Sequence, residues 1–239
     1  MRNAPVSRSA RRSSAEGRIA TRGSGEARSR SAILDAATDE FARMGFAGAR
    51  IQAIVVAAKV NIALLYYYFG TKEKLYTAVL EQVFAQWAQR VEAALDADGS
   101  PSQKLTAYME AYFDFVAEAP YRPRLVQQEM TQSGDGSVRR LNALATKHVR
   151  PVHQKVLRLL RQGHQEGEFR RVAPDFAYSI SAVIVNYFTS SSFIQVVSGR
   201  NPLTAARIAQ RRTSVVDMIS AALFTAKPEN SPKRKEQRK

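Results

Sequence analysis

The residues best suited to chemistry in this chain are three consecutive tyrosines, Tyr66 to Tyr68, and a lysine that follows them, Lys72. Phenol hydroxyls and ammonium groups donate hydrogen bonds to phosphate oxygens, so this run could hold a nucleic-acid backbone. Core aromatic residues are the alternative interpretation. Because only one face of a short helix can be buried, the three tyrosines cannot all belong to a core.

Two short helix patterns separated by a turn position this run. Residues 51–58 carry apolar side chains at helical spacing, and Leu65 and Phe69 lie four positions apart on the next helix. With Leu65 directed to the core, Ala63 and Tyr67 face outward. The outward face is apolar and aromatic where a free surface would be charged. It therefore needs a partner, and a helix of this length fits the DNA major groove, where apolar side chains can contact thymine methyl groups.

Together with residues 31–46, this segment resembles the helix-turn-helix domain of the tetracycline-repressor (TetR) family of transcriptional regulators. Helix order, turn spacing and the Tyr-Tyr-x-Phe-Gly-x-Lys run coincide over residues 31–80; beyond them only helix pattern and length match. The first helix would place Gly45 at its C-terminal cap. Its buried stripe would consist of Ile33, Leu34, Ala37, Phe41 and Met44.

The resemblance implies an all-α fold with two functional parts. A three-helix helix-turn-helix DNA-binding domain would occupy residues 31–76, and a larger helical ligand-binding and dimerisation domain residues 77–226. The helices expected after the third helix of the DNA-binding domain cover residues 71–95, 102–120, 122–134, 137–166, 176–199 and 203–226. No segment shows the alternation typical of a strand.

The resemblance also assigns roles in DNA binding. Gln52 would read a base edge through its amide, residues 62–64 would approach bases, and the tyrosine hydroxyls would bind phosphates. Lys72 and the free N–H groups after Thr71 would clamp a further phosphate. The implied DNA-binding residues are Arg50, Gln52, Lys59, Asn61, Ile62, Ala63, Leu64, Tyr66, Tyr67, Tyr68, Thr71 and Lys72.

Some residues depart from the family pattern. Arg50 stands where a Ser or Thr cap usually begins the second helix, so that helix lacks a side-chain acceptor and has a cation at its positive end. Lys59 replaces the usual turn glycine, Val55 a small alanine, and Tyr68 a frequent histidine.

The net charge of +15 is concentrated at the two ends of the chain. Residues 1–30 carry +6, residues 227–239 carry +4, and the remaining +5 is spread over the body. Both ends are poor in large apolar residues, so we expect a disordered basic arm and a disordered basic tail. The arm could lie along phosphates or enter a minor groove. The alternatives are a solvated tail and an organellar transit peptide, although Ile19 is nearly the only large apolar residue available for an amphipathic face.

Residues 176–199 carry no charge and are long enough to raise the possibility of a membrane span. Their many hydroxyl and amide side chains argue instead for a helix that is buried on most sides, so no membrane partner is expected. In the TetR family the last two long helices pair with those of a second copy. The residues we expect in such a homodimer interface are Ile184, Phe188, Val215, Met218 and Ile219. Recognition helices one DNA turn apart, roughly 34–36 Å, would require a near-palindromic operator.

The middle helices should enclose a small-molecule pocket if the resemblance holds. The candidates for contact with this effector of unknown identity are Met109, Tyr112, Phe113, Val116, Met130, Tyr178 and Tyr187. Taken singly, residues of these types are more often plain core than ligand contacts. Methionine and aromatic side chains favour an apolar or aromatic effector over a highly charged one.

Catalysis is the rival class, and the sequence offers it little. His148, His153 and His164 lack the spacing of a helical metal site, and a packed or solvated helix surface is the simpler interpretation. The chain has no cysteine, no GxSxG elbow and no P-loop, so we expect neither an enzyme nor a metal or cofactor.

The sequence thus predicts a cytoplasmic bacterial regulator, associated with the nucleoid when bound to DNA. It would most plausibly be a repressor that a small effector releases from its operator. The alternative is a nonspecific architectural DNA-binding protein driven by its basic tails.

Overall fold

The computed structural model describes the backbone of residues 9–131 and 134–225, and the side chains of residues 25–131, 134 and 136–225. The described residues form an all-α fold, as predicted. Its helices are α1 (Ser9–Gly48), α2 (Ile51–Ala58), α3 (Ile62–Phe69), α4 (Lys72–Asp96), α5 (Pro101–Glu118), α6 (Arg122–Thr131), α7 (Asp135–Leu144), α8 (Arg150–Gln165), α9 (Phe176–Thr189), α10 (Ser191–Ser198) and α11 (Ala205–Leu223). A π-helical segment, Ala145–Val149, joins α7 to α8.

The chain divides into two compact units, residues 1–80 and residues 81–239. The predicted domain boundary at residue 76 falls inside α4. In the first unit, α1 buries Ile33, Leu34, Ala37 and Phe41, which confirms most of the predicted stripe. Met44 is half exposed, contrary to that prediction, because Gly45 leaves the helical conformation directly after it (φ 69°, ψ 174°).

The N-terminal arm differs from its prediction. Helix α1 begins at Ser9 and not at Ser31, so residues 9–30 are helical in the structure. Alanine and arginine are good helix formers, and extending an existing helix costs less than nucleating one. The Arg30 guanidinium lies 5.4 Å from the centre of the Phe69 ring on α3, which joins this part of the arm to the reading head. The first eight residues and the predicted basic tail lie outside the described residues.

The core of the second unit is built from α4, α5, α8, α9 and α11. The rings of Phe113 and Phe188 meet at 5.3 Å within it. Two expected helices are interrupted. Residues 137–166 contain the π-helical segment, and residues 176–199 bend by 67° where α9 gives way to α10. Helix α10 buries none of its residues within the protomer, so the chain's own core does not provide the burial on most sides that was predicted for it.

No single helix among the described residues has the length and apolar composition to cross a membrane. Two bent pairs, α2 with α3 and α9 with α10, meet those criteria by length and composition only.

The turn after α8 closes the second unit against the end of α11. A side chain at Gly163 would come within 2.2 Å of the Phe169 ring, so only glycine leaves room for that ring. Phe169 stacks on Phe224 at 5.2 Å, and the Arg170 N–H donates to the Leu223 carbonyl.

Glu168, in the same turn, caps the start of α5. Its carboxylate accepts hydrogen bonds from the Ser102 N–H at 2.8 Å and from the Ser100 hydroxyl at 3.0 Å. Hydrogen bonds from the Ser102 hydroxyl and N–H and from the Ser100 hydroxyl outweigh desolvation and hold the pKa of Glu168 below its ordinary value. A negative charge at this end of a helix also complements the helix dipole.

Replacing Glu168 with Gln should therefore destabilise the second unit near neutral pH. We expect a melting temperature roughly 2–4 °C lower, as for the loss of about 1 kcal/mol of capping. A lowered carboxylate pKa stabilises the fold above the unfolded-state pKa, so the difference should shrink as the pH falls through the lowered pKa of Glu168. Thermal unfolding of the variant, at about pH 7 and about pH 3, measures this. Glu166→Gln, which removes a charge two residues away, is the control; equal effects of both variants would contradict the capping role.

Candidate nucleic-acid interface and ligand cavity

Helices α2 and α3 cross at 105°, the geometry of a helix-turn-helix. The turn between them requires a left-handed residue, which is Lys59 (φ 55°, ψ 41°). The position therefore has the backbone conformation for which glycine is usual, and a lysine there costs about 1 kcal/mol. The Val60 N–H donates to the Val55 carbonyl at 3.1 Å and completes the turn.

Helix α3 turns one face inward and the other to solvent, as the pattern predicts. Leu65 and Phe69 are buried, whereas Ala63 and Ile62 are exposed and Tyr67 is 77% exposed. Two further residues of the predicted set, Leu64 and Tyr68, are only half-buried. The rest of the solvent face includes Tyr66, which is also exposed.

Tyr68 packs between its aromatic neighbours on α3. Its ring lies 5.3 Å from that of Tyr67 and 6.3 Å from that of Phe69. Desolvation, with smaller contributions from Glu26 and Tyr67, raises the pKa of the Tyr68 hydroxyl. Tyr68 thus remains a neutral phenol with a packing role.

Two of the predicted DNA-binding residues serve as helix caps. The Asn61 side-chain oxygen accepts the Leu64 N–H at 2.7 Å, so only its NH₂ group remains for a DNA contact. The Thr71 hydroxyl oxygen accepts the Lys74 N–H at 3.2 Å. Hydrogen bonds from the backbone N–H of Glu73 itself and from Thr71 lower the pKa of the Glu73 carboxyl. The backbone N–H of Glu73 therefore donates to the Glu73 carboxylate. The prediction that the N–H groups after Thr71 are free to bind a phosphate is corrected at this residue.

Lys72 points toward the end of α1. Its ammonium donates to the Ala47 carbonyl at 3.3 Å and lies 5.1 Å from the centre of the Phe46 ring. An ammonium has three donors, so Lys72 can link α4 to α1 and still reach a phosphate.

Sequence reasoning missed Glu40, a buried carboxylate of α1. It forms an ion pair with Arg43 and accepts the Arg50 N–H at 3.2 Å. Burial raises the pKa of Glu40, but the hydrogen bonds and charges of Arg50 and Arg43 outweigh it and the pKa is lowered overall. An acidic residue next to the apolar stripe of α1 was the available signal. Helix α2 itself has no side-chain cap, as predicted from Arg50.

In the second unit, α4, α5, α6, α8 and α9 enclose a cavity of about 650 Å³. Of the predicted ligand contacts, Tyr112, Val116, Met130 and Tyr178 line it. The other three do not. Met109 and Phe113 face the core and are fully buried, and Tyr187 donates its hydroxyl to the Pro202 carbonyl at 2.7 Å, outside the cavity.

The cavity wall is mainly apolar, with one group of neutral polar side chains that was not predicted. The hydroxyls of Tyr108, Tyr112 and Ser181 all lie in the cavity lining, and Ser181 lowers the pKa of both tyrosines against the larger effect of burial. Desolvation raises the pKa of Tyr112 to about 12 and raises that of Tyr108 further. The Trp87 ring meets Tyr112 edge to face at 5.4 Å, so the four polar groups lie at one part of the wall.

Charged groups are scarce in this wall. The lining residues include Arg122 and His153 but no aspartate or glutamate. The Arg122 guanidinium lies 5.2 Å from the centre of the Phe115 ring, and His153 stacks on Tyr178 at 4.8 Å.

Most of the predicted dimer contacts lie in the interior of a single protomer. Ile184, Phe188, Val215 and Ile219 are buried in the core of their own protomer, because the inward faces of α9 and α11 pack on α5. Only Met218 is exposed. Three further apolar side chains are exposed close together on α10, Phe193, Val196 and Val197, and Val196 is 81% exposed.

The histidines serve separate local contacts. His148 lies 2.8 Å from a Glu81 oxygen that Lys147 also contacts, and His164 lies 3.2 Å from the Phe169 carbonyl. Burial raises the pKa of Glu81, but hydrogen bonds from Lys147 and His148 lower it overall. Within the described part of the chain, no group of three or more His, Cys, Asp or Glu could hold a metal ion.

Comparison with known proteins matches both units. Residues 33–79 match the family described as bacterial regulatory proteins, tetR family, and residues 101–219 match the tetracyclin repressor-like C-terminal domain. The transcriptional repressor NicS of Pseudomonas putida is 32% identical over 180 residues, which are 71% of this chain and 82% of NicS.

Solved structures share the fold. The ketosteroid transcriptional regulator KstR2 of Mycobacterium tuberculosis gives a TM-score of 0.66 at 18% identity, over 82% of this chain and 95% of KstR2. FadR of Bacillus subtilis, solved in complex with stearoyl-CoA, gives 0.62 at 19% identity, over 80% of this chain and 97% of FadR.

Proposed function

Because the chain belongs to the tetR family of bacterial regulatory proteins, it is a DNA-binding transcriptional regulator, and we propose that it is a homodimeric repressor released from a near-palindromic operator by a small effector. The observation that carries the proposal is the solvent face of α3. Ile62, Ala63 and Tyr67 stand on a helix that crosses α2 at 105°, where a groove of DNA would cover them.

The start of α2 supplies a phosphate site in this proposal. The helix has no side-chain cap, and the exposed Arg50 stands at its positive end. The combination is locally unfavourable in the free protein and favourable beside a phosphate, whose oxygens accept from backbone N–H groups and guanidinium alike. Gln52, exposed on the first turn, would then reach a base edge.

A second copy of this chain is the partner that we assign to α10. Phe193, Val196 and Val197 form an exposed apolar surface, and Met218 of α11 is also exposed. Such a surface on a regulator that reads two half-sites fits a two-fold contact, in which the same patch serves both protomers. Except for Met218, the residues of this proposed interface differ from those expected from the sequence.

The cavity of the second unit receives the effector in this proposal. Its volume and apolar wall are those of a small-molecule site, and FadR, a structural neighbour, was solved with stearoyl-CoA. Helix α4 contributes Leu75 and Val79 to the core of the first unit and Val83 and Trp87 to the cavity wall. Effector binding would favour a dimer in which α4 shifts the reading heads from their one-turn spacing.

The proposal assigns the chain no catalytic role and places it in the bacterial cytoplasm, on the nucleoid when operator-bound.

An architectural protein bound through its charge alone would show little preference among sequences. A binding-site selection on random DNA with the full chain distinguishes the two, because a regulator should recover a half-site and a fixed spacing.

Gln52→Ala should relax the preference at one base pair in each half-site. Loss of a bidentate amide contact costs about 1–3 kcal/mol for the preferred base and little for the others. Fluorescence anisotropy on operators substituted one position at a time measures it. Gln89→Ala, an exposed glutamine of the second unit, is the control, and unchanged preference in Gln52→Ala would exclude base reading by this residue.

Arg50→Ser should change stability and DNA affinity in opposite directions. A serine can cap α2 and stabilise the fold by about 1 kcal/mol. The loss of one phosphate contact should reduce the slope of log affinity against log salt by about 0.9. Thermal unfolding and a salt titration on operator DNA measure the two effects.

Arg171→Ser, the same charge change in an exposed loop of the second unit, controls for net charge. An unchanged salt slope in Arg50→Ser, or an equal loss in both variants, would contradict the phosphate site.

Val196→Glu should weaken dimerisation. A charge in an apolar interface loses hydration without a partner, so we expect the dimer dissociation constant to rise about tenfold or more. Sedimentation equilibrium measures it, with Val138→Glu, an exposed valine of α7, as the control. A dimer as stable as that of the unmodified chain would remove α10 from the interface.

A further inference from the structure

The only tryptophan of the chain, Trp87, lines the cavity and has an unused hydrogen-bond donor. The residue is 9% exposed, and its indole N–H has no hydrogen-bond partner among the described residues. An indole N–H can only donate. Leaving it unpaired in the interior costs about 1–3 kcal/mol, so a molecule that fills the cavity gains by bringing an acceptor to it.

Three hydroxyls beside Trp87 offer a second donor. Tyr108, Tyr112 and Ser181 all line the cavity, and each carries one hydroxyl proton. Because a hydroxyl rotates to suit an acceptor, one of them can donate to a ligand. Because the Trp87 and Tyr112 rings are in edge-to-face contact, both donors serve the same part of the cavity. Two donors match the two lone pairs of a carbonyl oxygen.

The charge of the wall decides between a neutral and an anionic acceptor. The polar group itself consists of an indole, two phenols and one aliphatic hydroxyl, and none of them is a cation. A carboxylate held there would be buried without a counter-charge, which is costly. The guanidinium of Arg122 already faces the Phe115 ring, and no acidic side chain lines the wall to attract a cationic ligand.

We propose that the cavity takes an uncharged, largely apolar molecule whose carbonyl oxygen accepts two hydrogen bonds. One comes from the Trp87 N–H and the other from one of the hydroxyls of Tyr108, Tyr112 and Ser181. The proposal rests on the proposed function, in which this cavity receives the effector. It specifies the chemical class: a ketone, ester, lactone or amide on an aliphatic or aromatic skeleton.

Two probes of equal carbon number test the class on the full chain, 2-undecanone and undecanoate. Trp87 is the sole tryptophan, so its fluorescence reports occupancy of the cavity directly. We expect a saturable change with 2-undecanone and a dissociation constant about tenfold or more below that of undecanoate. Equal or tighter binding of undecanoate, which would place an anion near Arg122, overturns the proposal, as does the absence of any saturable response to the ketone.

Single-group variants test the contacts. Tyr112→Phe and Ser181→Ala keep the fluorescent reporter and should weaken 2-undecanone binding about tenfold. Trp87→Phe, followed by ligand-induced thermal shift, should do the same. Tyr187→Phe removes a phenol outside the cavity and should leave the affinity unchanged. Ketone affinity that survives in all three cavity variants overturns the assignment, and the first two variants decide it if Trp87→Phe does not fold.

Operator binding measured in parallel separates this inference from the proposed function. If undecanoate binds and releases the operator, the repressor function is supported and the proposed carbonyl class of ligand is contradicted. If 2-undecanone binds as expected but the chain shows no operator preference, the proposed ligand class is supported and the repressor function is contradicted.

Discussion

A single geometric constraint determines how this protein meets its partners: a short helix can bury only one face. On α3, Leu65 and Phe69 take the inward face, so the remaining side chains must face solvent whatever their polarity. Helix α10 has no buried face within the protomer, since none of its residues is buried. In both helices the exposed face carries apolar side chains, and we propose that DNA covers those of α3 and a second copy of the chain those of α10.

The first unit keeps residues at the two ends of α2 that a purely stable domain would replace. Lys59 holds a left-handed conformation, and Arg50 leaves α2 without a cap. Glu40 compensates in part, because its buried carboxylate fixes the Arg50 backbone and pairs with Arg43. Local costs that are offset from a neighbouring helix are typical of sites selected for binding.

Sequence reasoning succeeded where structure is local and failed where it depends on distant contacts. The turn at Lys59 and the two faces of α3 follow from helical period and turn chemistry, both of which are local. The period of α9 identified Ile184 and Phe188 as a buried stripe but could not tell the protomer's own core from a second copy. Likewise, Tyr112 and Phe113 are adjacent in sequence, and only the packing of α9 and α11 assigns one to the cavity and the other to the core.

In the proposed function, helix α4 is the element that connects the cavity to the DNA contact. Its 25 residues rise about 37 Å without interruption, and a helix transmits a displacement along its length because each turn is hydrogen-bonded to the next. Val83 and Trp87 of the cavity wall and Leu75 and Val79 of the core of the first unit are residues of this same helix. Such a helix has two stable positions only if its contacts have two arrangements. Glu81, also on α4, is held by Lys147 and His148 of the π-helical segment, so it joins α4 to the irregular turn that precedes α8.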